Sequence, residues 1–333
     1  MGRAVQKPSA WVDALLMSAF VAELGVVGYT LRNEPDMLLL LFVLLPVVAI
    51  AVWLTKMVFY YGGGFFSRKF LQHLGDPLKK RLAMKKWCDQ SWQLAIHVSM
   101  AYFEFVVLRD ETWWEDTKSM WNQGSKDGVF PEQKFRTKLL YLVQLAIWIY
   151  TAFSCKFLEE IRKDYIVMMT HHIVTIALVT WSYAVGYLPV GVVVLFIHDL
   201  SDVPLDMMKM ANHLKMEGFG GLFATEILFV VLIVDWIYFR MYLFPVNVIK
   251  STLIENRESC MPLAEAHDFT NLTPCVPSWF LFNALLITLF FLHIWWGFLI
   301  IRVAVGVITK GAHETGKEEY EGTSDSDSDS KED

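Results

Sequence analysis

The stretch that decides the fold spans residues 165–198 and reads YIVMMTHHIVTIALVTWSYAVGYLPVGVVVLFIH. It contains no Asp, Glu, Lys or Arg, and at 34 residues it is too long for one transmembrane helix, which needs about 20. In its middle, Gly186-Tyr187-Leu188-Pro189 supplies residues that interrupt a helix and favour a turn. The stretch therefore predicts two transmembrane helices joined as a helical hairpin.

Ionisable side chains cluster at the same end of both arms of this hairpin. His171 and His172 open the first arm, and His198, Asp199, Asp202 and Asp206 close the second. In a helix, residues three, four and seven apart share one face, so the acids are expected to line one side of the second arm. Because ionisable groups inside a membrane are energetically unfavourable and usually functional, we expect one site that faces the interior of a helix bundle.

Further apolar stretches lie on both sides of the hairpin. Residues 37–55, 139–155 and 276–301 are uncharged or nearly so, and 87–108 and 221–240 are weaker candidates because each contains ionisable residues. The sequence thus predicts an all-α polytopic membrane protein with about seven transmembrane helices. Residues 11–31 are either an eighth span or an interfacial helix, since Asp13 and Glu23 interrupt them.

The composition agrees with a membrane protein and excludes other classes. Of the 333 residues, 55% are hydrophobic and only 19% are charged. The net charge of −6 comes from the acidic C-terminal tail, and the nearly neutral body excludes a nucleic-acid-binding domain, which needs a basic face. The tail is disordered by composition, and Ser324, Ser326 and Ser330 each precede an acid by three residues, which predicts phosphorylation by an acid-directed kinase.

The distribution of cations predicts how the chain crosses the membrane. Residues 61–86 hold seven Lys or Arg and are placed in the cytosol as a basic linker, after an N-terminal luminal or interfacial segment (1–36) and a first transmembrane helix (37–60). Residues 109–137 and 241–277 then lie in the lumen, and the tail (309–333) lies in the cytosol. The last luminal loop carries a glycosylation sequon at Asn271, and Cys260 and Cys275 in it are either a disulfide or two free thiols.

Three kinds of chemistry suit a membrane site rich in His and Asp. Metal binding of the desaturase type needs repeated HxxxH and HxxHH boxes, which none of the nine histidines forms, so no metal is expected. A proton relay in a transporter is compatible with the residues. Acyl transfer is also compatible, because an imidazole is a good nucleophile toward a thioester and a good general base, and a carboxylate orients it.

The hairpin also carries a family resemblance. The residues HHIVT (171–175), Ser182-Tyr183, Gly191, HDLSD (198–202) and KMAN (209–212) resemble the longevity-assurance motif of ceramide synthases. The flanking sequence resembles the family's TLC domain over about residues 85–305. We place the boundaries of this catalytic domain at residues 87 and 308. The resemblance implies six helices in a barrel, preceded by one extra span. The homeobox-like domain found in many animal members is absent from residues 61–86.

The resemblance also implies an activity. Such an enzyme transfers a fatty acyl group from acyl-CoA to the amine of a sphingoid long-chain base in the endoplasmic reticulum membrane, with no cofactor beyond the acyl-CoA cosubstrate. Whether the chain works alone or as a homodimer or heterodimer stays open. The alternative is a non-enzymatic TLC-domain protein that binds or senses lipids; such relatives commonly lack the full double-His and HDxxD set.

The family implies roles for individual residues. An acyl-imidazole intermediate forms on one histidine of the pair, by position His171, with His172 and His198 as base and orienting group. Asp199 and Asp202 hold imidazoles or receive the amine. Thr175, Ser182, Asp206 and Arg240 are second-rank candidates for substrate binding, and a role in packing or topology is the favoured alternative for them. The remaining histidines within spans, His97 and His293, are expected to be structural.

Overall fold

The computed structural model describes residues 9–72, 75–121, 133–159, 164–268 and 278–310, and all regular structure in these ranges is helical. The principal helices are α1 (Ala10–Leu31), α2 (Pro35–Phe70), α3 (Pro77–Leu108), α4 (Phe135–Phe157), α5 (Tyr165–Val185), α6 (Leu188–His213), α7 (Ala224–Glu258), α8 (Leu263–Ala266) and α9 (Trp279–Lys310). Within the described residues, eight of them are long and apolar enough to cross a membrane, all except the four-residue α8. The predicted all-α polytopic membrane protein is confirmed.

The turn between α5 and α6 is a tight helical hairpin, as predicted. Gly186 ends α5 with φ +83°, a backbone conformation that glycine adopts without steric cost. The Tyr187 N–H donates to the Ser182 carbonyl at 2.8 Å, which closes the helix end in a Schellman-type pattern. Pro189 then stands in the first turn of α6, where its missing N–H leaves no helical hydrogen bond unmade.

Six helices form a ring in which each packs on two neighbours. Around the ring the order is α3, α6, α7, α9, α5 and α4, and α4 closes it against α3. The two arms of the hairpin, α5 and α6, therefore lie on opposite sides of the ring and contact each other sparsely. Their facing side chains meet in the interior, so the polar clusters at the ends of the arms are joined through residues of the other four helices.

The first two helices lie outside this ring. α2 packs on α3 and α4, and α1 packs on α5. Asp13, near the start of α1, forms an ion pair with Lys156 at the end of α4 and accepts a hydrogen bond from Tyr165 at the start of α5. The sequence left open whether this segment is a span or an interfacial helix, because Asp13 interrupts it. In the structure the charge of Asp13 is paired.

Glu34, between α1 and α2, marks the other end of α1. Its carboxylate pairs with Lys138 at the start of α4 at 3.1 Å and accepts a hydrogen bond from Tyr183 near the end of α5 at 3.0 Å. Since Asp13 contacts one end of α4 and α5 and Glu34 contacts the other, α1 runs the full length of these helices. Among the residues that the structure describes, the candidate spans number eight, one more than the predicted seven.

Three helices extend beyond their expected ends. α2 continues to Phe70 and α3 begins at Pro77, capped by the Asp76 side chain, so most of the stretch expected to be a linker is helical. A Cβ at Gly63 would lie 2.9 Å from Trp87, which shows that the glycine allows α2 and α3 to approach closely. α7 likewise continues to Glu258, with π-type hydrogen bonding from Trp236 to Ile249.

The segments predicted to share the luminal side are in contact. Thr117 follows α3 and donates a hydrogen bond to Glu255 of α7 at 2.6 Å, and the Trp121 indole donates to Ser251 at 2.8 Å. This end of the ring is therefore bound together by polar contacts between the α3–α4 connection and the end of α7.

Candidate functional site in the helical ring

His198 of α6 is held at both ring nitrogens. Its Nδ1 lies 2.6 Å from the Val194 carbonyl oxygen, one helical turn earlier, and its Nε2 lies 2.8 Å from Nε2 of His293 in α9. His293 is fully buried and was expected to be structural. The structure instead places it in direct contact with the candidate site.

Arg240 of α7 ties this histidine to the neighbouring acid. Its guanidinium is only 2% exposed and donates to the Ser201 hydroxyl at 2.6 Å, to the His198 carbonyl at 3.1 Å and to Asp202 at 2.7 Å. The sequence suggested Arg240 as a substrate-binding residue, but these donors are used within the protein. Arg240 and Asp202 form an ion pair that joins α6 to α7.

Asp235, which precedes Arg240 in α7, is not part of this ion pair. Its Oδ2 is buried with no hydrogen-bond partner in the described ranges. A pairing of Asp235 with Arg240 is therefore not what holds the guanidinium in place.

Asp199 points to a different group of residues from Asp202. It accepts a short hydrogen bond from the Gln144 amide of α4, which also donates to Glu104 of α3 at 2.6 Å. Glu104 is fully buried, and its Oε2 has no hydrogen-bond partner among the described residues. The Gln144 amide thus joins two buried carboxyl groups whose negative charges would repel each other, which favours a single negative charge on the pair.

Asp206, a second-rank candidate for substrate binding, is bound by residues of α3. Gln90 donates to one of its oxygens at 2.7 Å, and the other lies 2.6 Å from Nδ1 of His97. His97 is thus a partner of one of the predicted acids. Asp199, Asp202 and Asp206, which the sequence placed on one face, have three different sets of partners.

The double histidine of α5 lies in an aromatic environment. The His171 ring packs edge-to-face against Trp148 of α4 and Trp296 of α9, with ring centroids 5.3 Å apart in each case. His172 contacts Trp148 from another side, at 5.6 Å. Both histidines are buried, and His171 lies within electrostatic range of His198, His293 and Arg240.

The ring nitrogens of His171 are differently placed from those of His198. Nδ1 of His171 is buried and makes no hydrogen bond within the part of the chain that the structure describes. An imidazole nitrogen without a hydrogen bond keeps its lone pair or its proton available for a reacting group. Unlike His198, His171 thus has a ring nitrogen to which no described protein group is hydrogen-bonded, and this nitrogen is available for chemistry.

A narrow apolar cavity adjoins His198 inside the ring. Its polar lining comes from Tyr141, Trp148, Thr175, Ser182 and His198, and the other lining residues are Gly191 and apolar side chains of α5, α6 and α9. Thr175 presents a buried hydroxyl with no hydrogen-bond partner among the described residues. The cavity thus has an almost wholly apolar wall with a few polar side chains along it, a lining that suits a hydrocarbon chain.

Ser182 has a clear packing role at the hairpin end of the cavity. Its hydroxyl donates to the Tyr141 hydroxyl at 3.2 Å, and Tyr141 donates in turn to the Leu188 carbonyl at 3.0 Å. A Cβ at Gly191 would lie 1.6 Å from the Tyr141 oxygen. Ser182, Tyr141 and Gly191 therefore form one unit that fixes α4 against the hairpin.

The comparisons with known proteins identify the family of the chain. The family model of the TLC domain matches residues 86–302, which is more than half of the chain and includes all six helices of the ring. A ceramide synthase of Arabidopsis thaliana, Ceramide synthase 1 LOH3, is 30% identical over 240 residues, covering 71% of this chain and 74% of the relative. The chain belongs to the ceramide synthase family.

Other relatives match at similar levels. ASC1-like protein 1 of rice (Oryza sativa subsp. japonica) is 31% identical over 261 residues, covering 77% of this chain and 80% of the rice protein. Human Ceramide synthase 5 is 29% identical over 230 residues, which are 68% of this chain but 52% of the human protein. The family resemblance that the hairpin indicated is thus confirmed, and it extends over most of the chain.

Sequence reasoning missed two residues of the site, Glu104 and Gln144, and it did not anticipate that His97 and His293 contact the predicted site residues. The signal that identified the double histidine, an ionisable group inside an apolar span, applies equally to Glu104, His97 and His293. Of the other predicted sites, Asn271, Cys275 and the three tail serines lie outside the described residues. Glycosylation, the Cys260–Cys275 disulfide and phosphorylation stay predictions.

Proposed function

We propose that the chain is a ceramide synthase that transfers a fatty acyl group from acyl-CoA to the amine of a sphingoid long-chain base. The observation that carries the proposal is a group of four buried imidazoles, one of which, His198, lines an apolar cavity together with Thr175. Membership of the ceramide synthase family supports the same reaction. The substrates fit the site physically, since both combine a polar reacting group with a long hydrocarbon chain.

His171 is the proposed nucleophile by its position in the double-histidine motif, and its Nδ1 makes no hydrogen bond within the described residues, which is compatible with that role. Attack on the thioester carbonyl forms a C–N bond to the imidazole and breaks the C–S bond, and the CoA thiolate takes up the imidazole proton. The substrate amine then attacks the acyl-imidazole, forms the amide and returns a proton to His171. Trp148 and Trp296 fix the plane of the ring, which reduces the entropy lost on reaching the transition state.

The acids and Arg240 act on the protein side of the site. Asp202 neutralises Arg240, and Arg240 holds the His198 backbone, so the pair sets the position of α6 beside the cavity. Asp199, in the carboxyl pair with Glu104, anchors the same helix to α3 and α4. These residues support the imidazoles by position and charge.

The test uses purified protein with a panel of fatty acyl-CoAs and sphinganine. Mass spectrometry is used to detect the N-acylated product and any acyl adduct on the intact protein, which peptide mapping assigns to a residue. We expect ceramide and an adduct at His171, with neither in His171→Ala. His267→Ala, which changes an exposed histidine outside the ring, serves as the matched control and should keep wild-type activity.

Folded wild-type protein that forms no amide from any acyl-CoA would contradict the reaction and favour the lipid-binding alternative. Amide formation without an adduct, and with His171→Ala active, would contradict the acyl-imidazole step alone.

We also propose that the protein resides in the endoplasmic reticulum, with the basic stretch and the acidic tail in the cytosol. The cation-rich segment supports this orientation, since such segments stay on the cytosolic side. Glycosylation of Asn271 would place its loop in the lumen, and an endoglycosidase-sensitive mass shift that disappears in Asn271→Gln measures it. Modification of a sequon engineered into the 71–76 connection instead would reverse the orientation.

A further inference from the structure

We propose that His198 and His293 act as one proton-relay unit in the acyl transfer, with Nδ1 of His293 as the nitrogen where the proton enters and leaves. This inference rests on the proposed function and goes beyond it. It assigns His293 a part in the reaction, and it makes His198 a member of a proton relay rather than a simple base.

The hydrogen bonds of His198 fix where its protons are. A carbonyl oxygen only accepts, so the 2.6 Å contact with Val194 requires a proton on Nδ1 of His198. In a neutral imidazole the other nitrogen, Nε2, then carries a lone pair. Nε2 of His293 lies 2.8 Å away and must donate to it. The neutral pair therefore has one arrangement, with the proton of His293 on Nε2 and a lone pair on its Nδ1.

Neither nitrogen of His198 is open to substrate in this arrangement. One donates to Val194 and the other accepts from His293, so His198 gains a proton only from its partner. Nδ1 of His293, by contrast, is buried and has no hydrogen-bond partner within the described residues. It is the one nitrogen of the pair that can take a proton from outside the pair.

Proton uptake at this nitrogen converts the pair into a second state with the same heavy-atom positions. A proton binds Nδ1 of His293 while the proton on its Nε2 passes to Nε2 of His198. His198 is then an imidazolium that still donates to Val194, and His293 is neutral with a lone pair on Nε2. Arg240 Nη1 lies 3.3 Å from that nitrogen and can donate to it in this state only.

The charges around His293 keep the protonated state short-lived. The groups that face it are His198 from α6, Arg240 from α7 and His171 from α5, and Asp202 reaches it through Arg240. Arg240 repels the new imidazolium, while its hydrogen bond to His293 and the charge of Asp202 offset part of that repulsion. Such a unit suits a transient base that takes up and releases one proton in each turnover.

In the reaction the protons balance. As the amine forms its C–N bond to the acyl carbon, its N–H bond breaks and the proton enters the pair at Nδ1 of His293, directly or through a water. When the C–N bond to His171 breaks, the proton leaves the pair by the reverse path and restores the imidazole of His171. The pair ends each cycle neutral.

The decisive variant is His293→Gln, whose amide N–H can still donate to His198 but which has no basic nitrogen to accept a proton. We expect acyl-enzyme formation to persist and transfer to the amine to slow by about 10²–10³-fold, with the remaining rate rising with pH as more of the amine is unprotonated. His267→Gln is the matched control and should match the wild type in both steps. Single-turnover mass spectrometry separates the two steps.

A wild-type transfer rate and pH profile in folded His293→Gln would overturn the relay. If that variant fails to fold, a proton inventory on the wild type in H₂O–D₂O mixtures decides the matter: two protons in flight give a curved plot of the transfer rate, and a straight line overturns the relay. Failure of the proposed function is distinct, because then the wild type itself makes no amide.

Discussion

Replacing Asp202 by Asn removes the negative charge that Arg240 faces and leaves a guanidinium that is 2% exposed without a counter-ion. At a charge separation of about 4 Å and an effective dielectric constant of about 20, the lost attraction is about 4 kcal/mol. The Asn oxygen can still accept a hydrogen bond from the charged guanidinium of Arg240, worth about 1.5–3 kcal/mol. We therefore expect Asp202→Asn to lower the free energy of unfolding by about 1–2.5 kcal/mol.

The measurement is unfolding of detergent-purified protein by a denaturing detergent, followed by fluorescence of its 13 tryptophans. Asp235→Asn is the matched control: Asp235 is also a partly buried acid near Arg240, but its Oδ2 makes no hydrogen bond among the described residues, so its loss should leave stability unchanged or raised. The double variant Asp202→Asn with Arg240→Met should recover most of the loss, because it leaves no unpaired charge.

Two results would refute this reasoning. If Asp202→Asn and Asp235→Asn were equally stable, the ion pair would not hold α6 and α7 together. If the double variant were as unstable as Asp202→Asn alone, the loss would come from packing rather than from the unpaired cation.

Three further predictions concern other contacts. Gly191→Ala should destabilise the protein by about 1–3 kcal/mol, since its Cβ would lie 1.6 Å from the Tyr141 oxygen. Adding Tyr141→Leu to this variant should restore thermal stability. An unchanged melting temperature in Gly191→Ala alone would show that Tyr141 moves freely. Glu104→Gln should change the free energy of unfolding by less than about 1 kcal/mol, because the amide resembles a protonated carboxyl in shape; a large loss would mean that both carboxyls of the pair are ionised. In a double-mutant cycle with Asp13→Asn and Lys156→Met, the coupling energy should be about 0.5–1 kcal/mol, and additive effects would argue against docking of α1 through this pair.

The hairpin shows why part of this fold could be predicted. Apolar length and the turn residues at 186–189 act locally, so the break between α5 and α6 follows from the sequence around it. The span of α1 could not be decided in this way. Asp13 is acceptable in a long apolar helix because Lys156 and Tyr165, more than 140 residues later, pair with it.

The candidate site divides in the same way. Apolar spans and the pattern of His and Asp in the hairpin determined the membrane class, the family and the histidines at the centre of the site, because these signals depend on composition and local spacing. Only the ring of helices decided which groups meet: His198 with His293, Asp199 with Glu104 and Asp202 with Arg240. Each pair joins residues from different helices, and their contact depends on how the helices pack across the ring, which no local pattern in the sequence specifies.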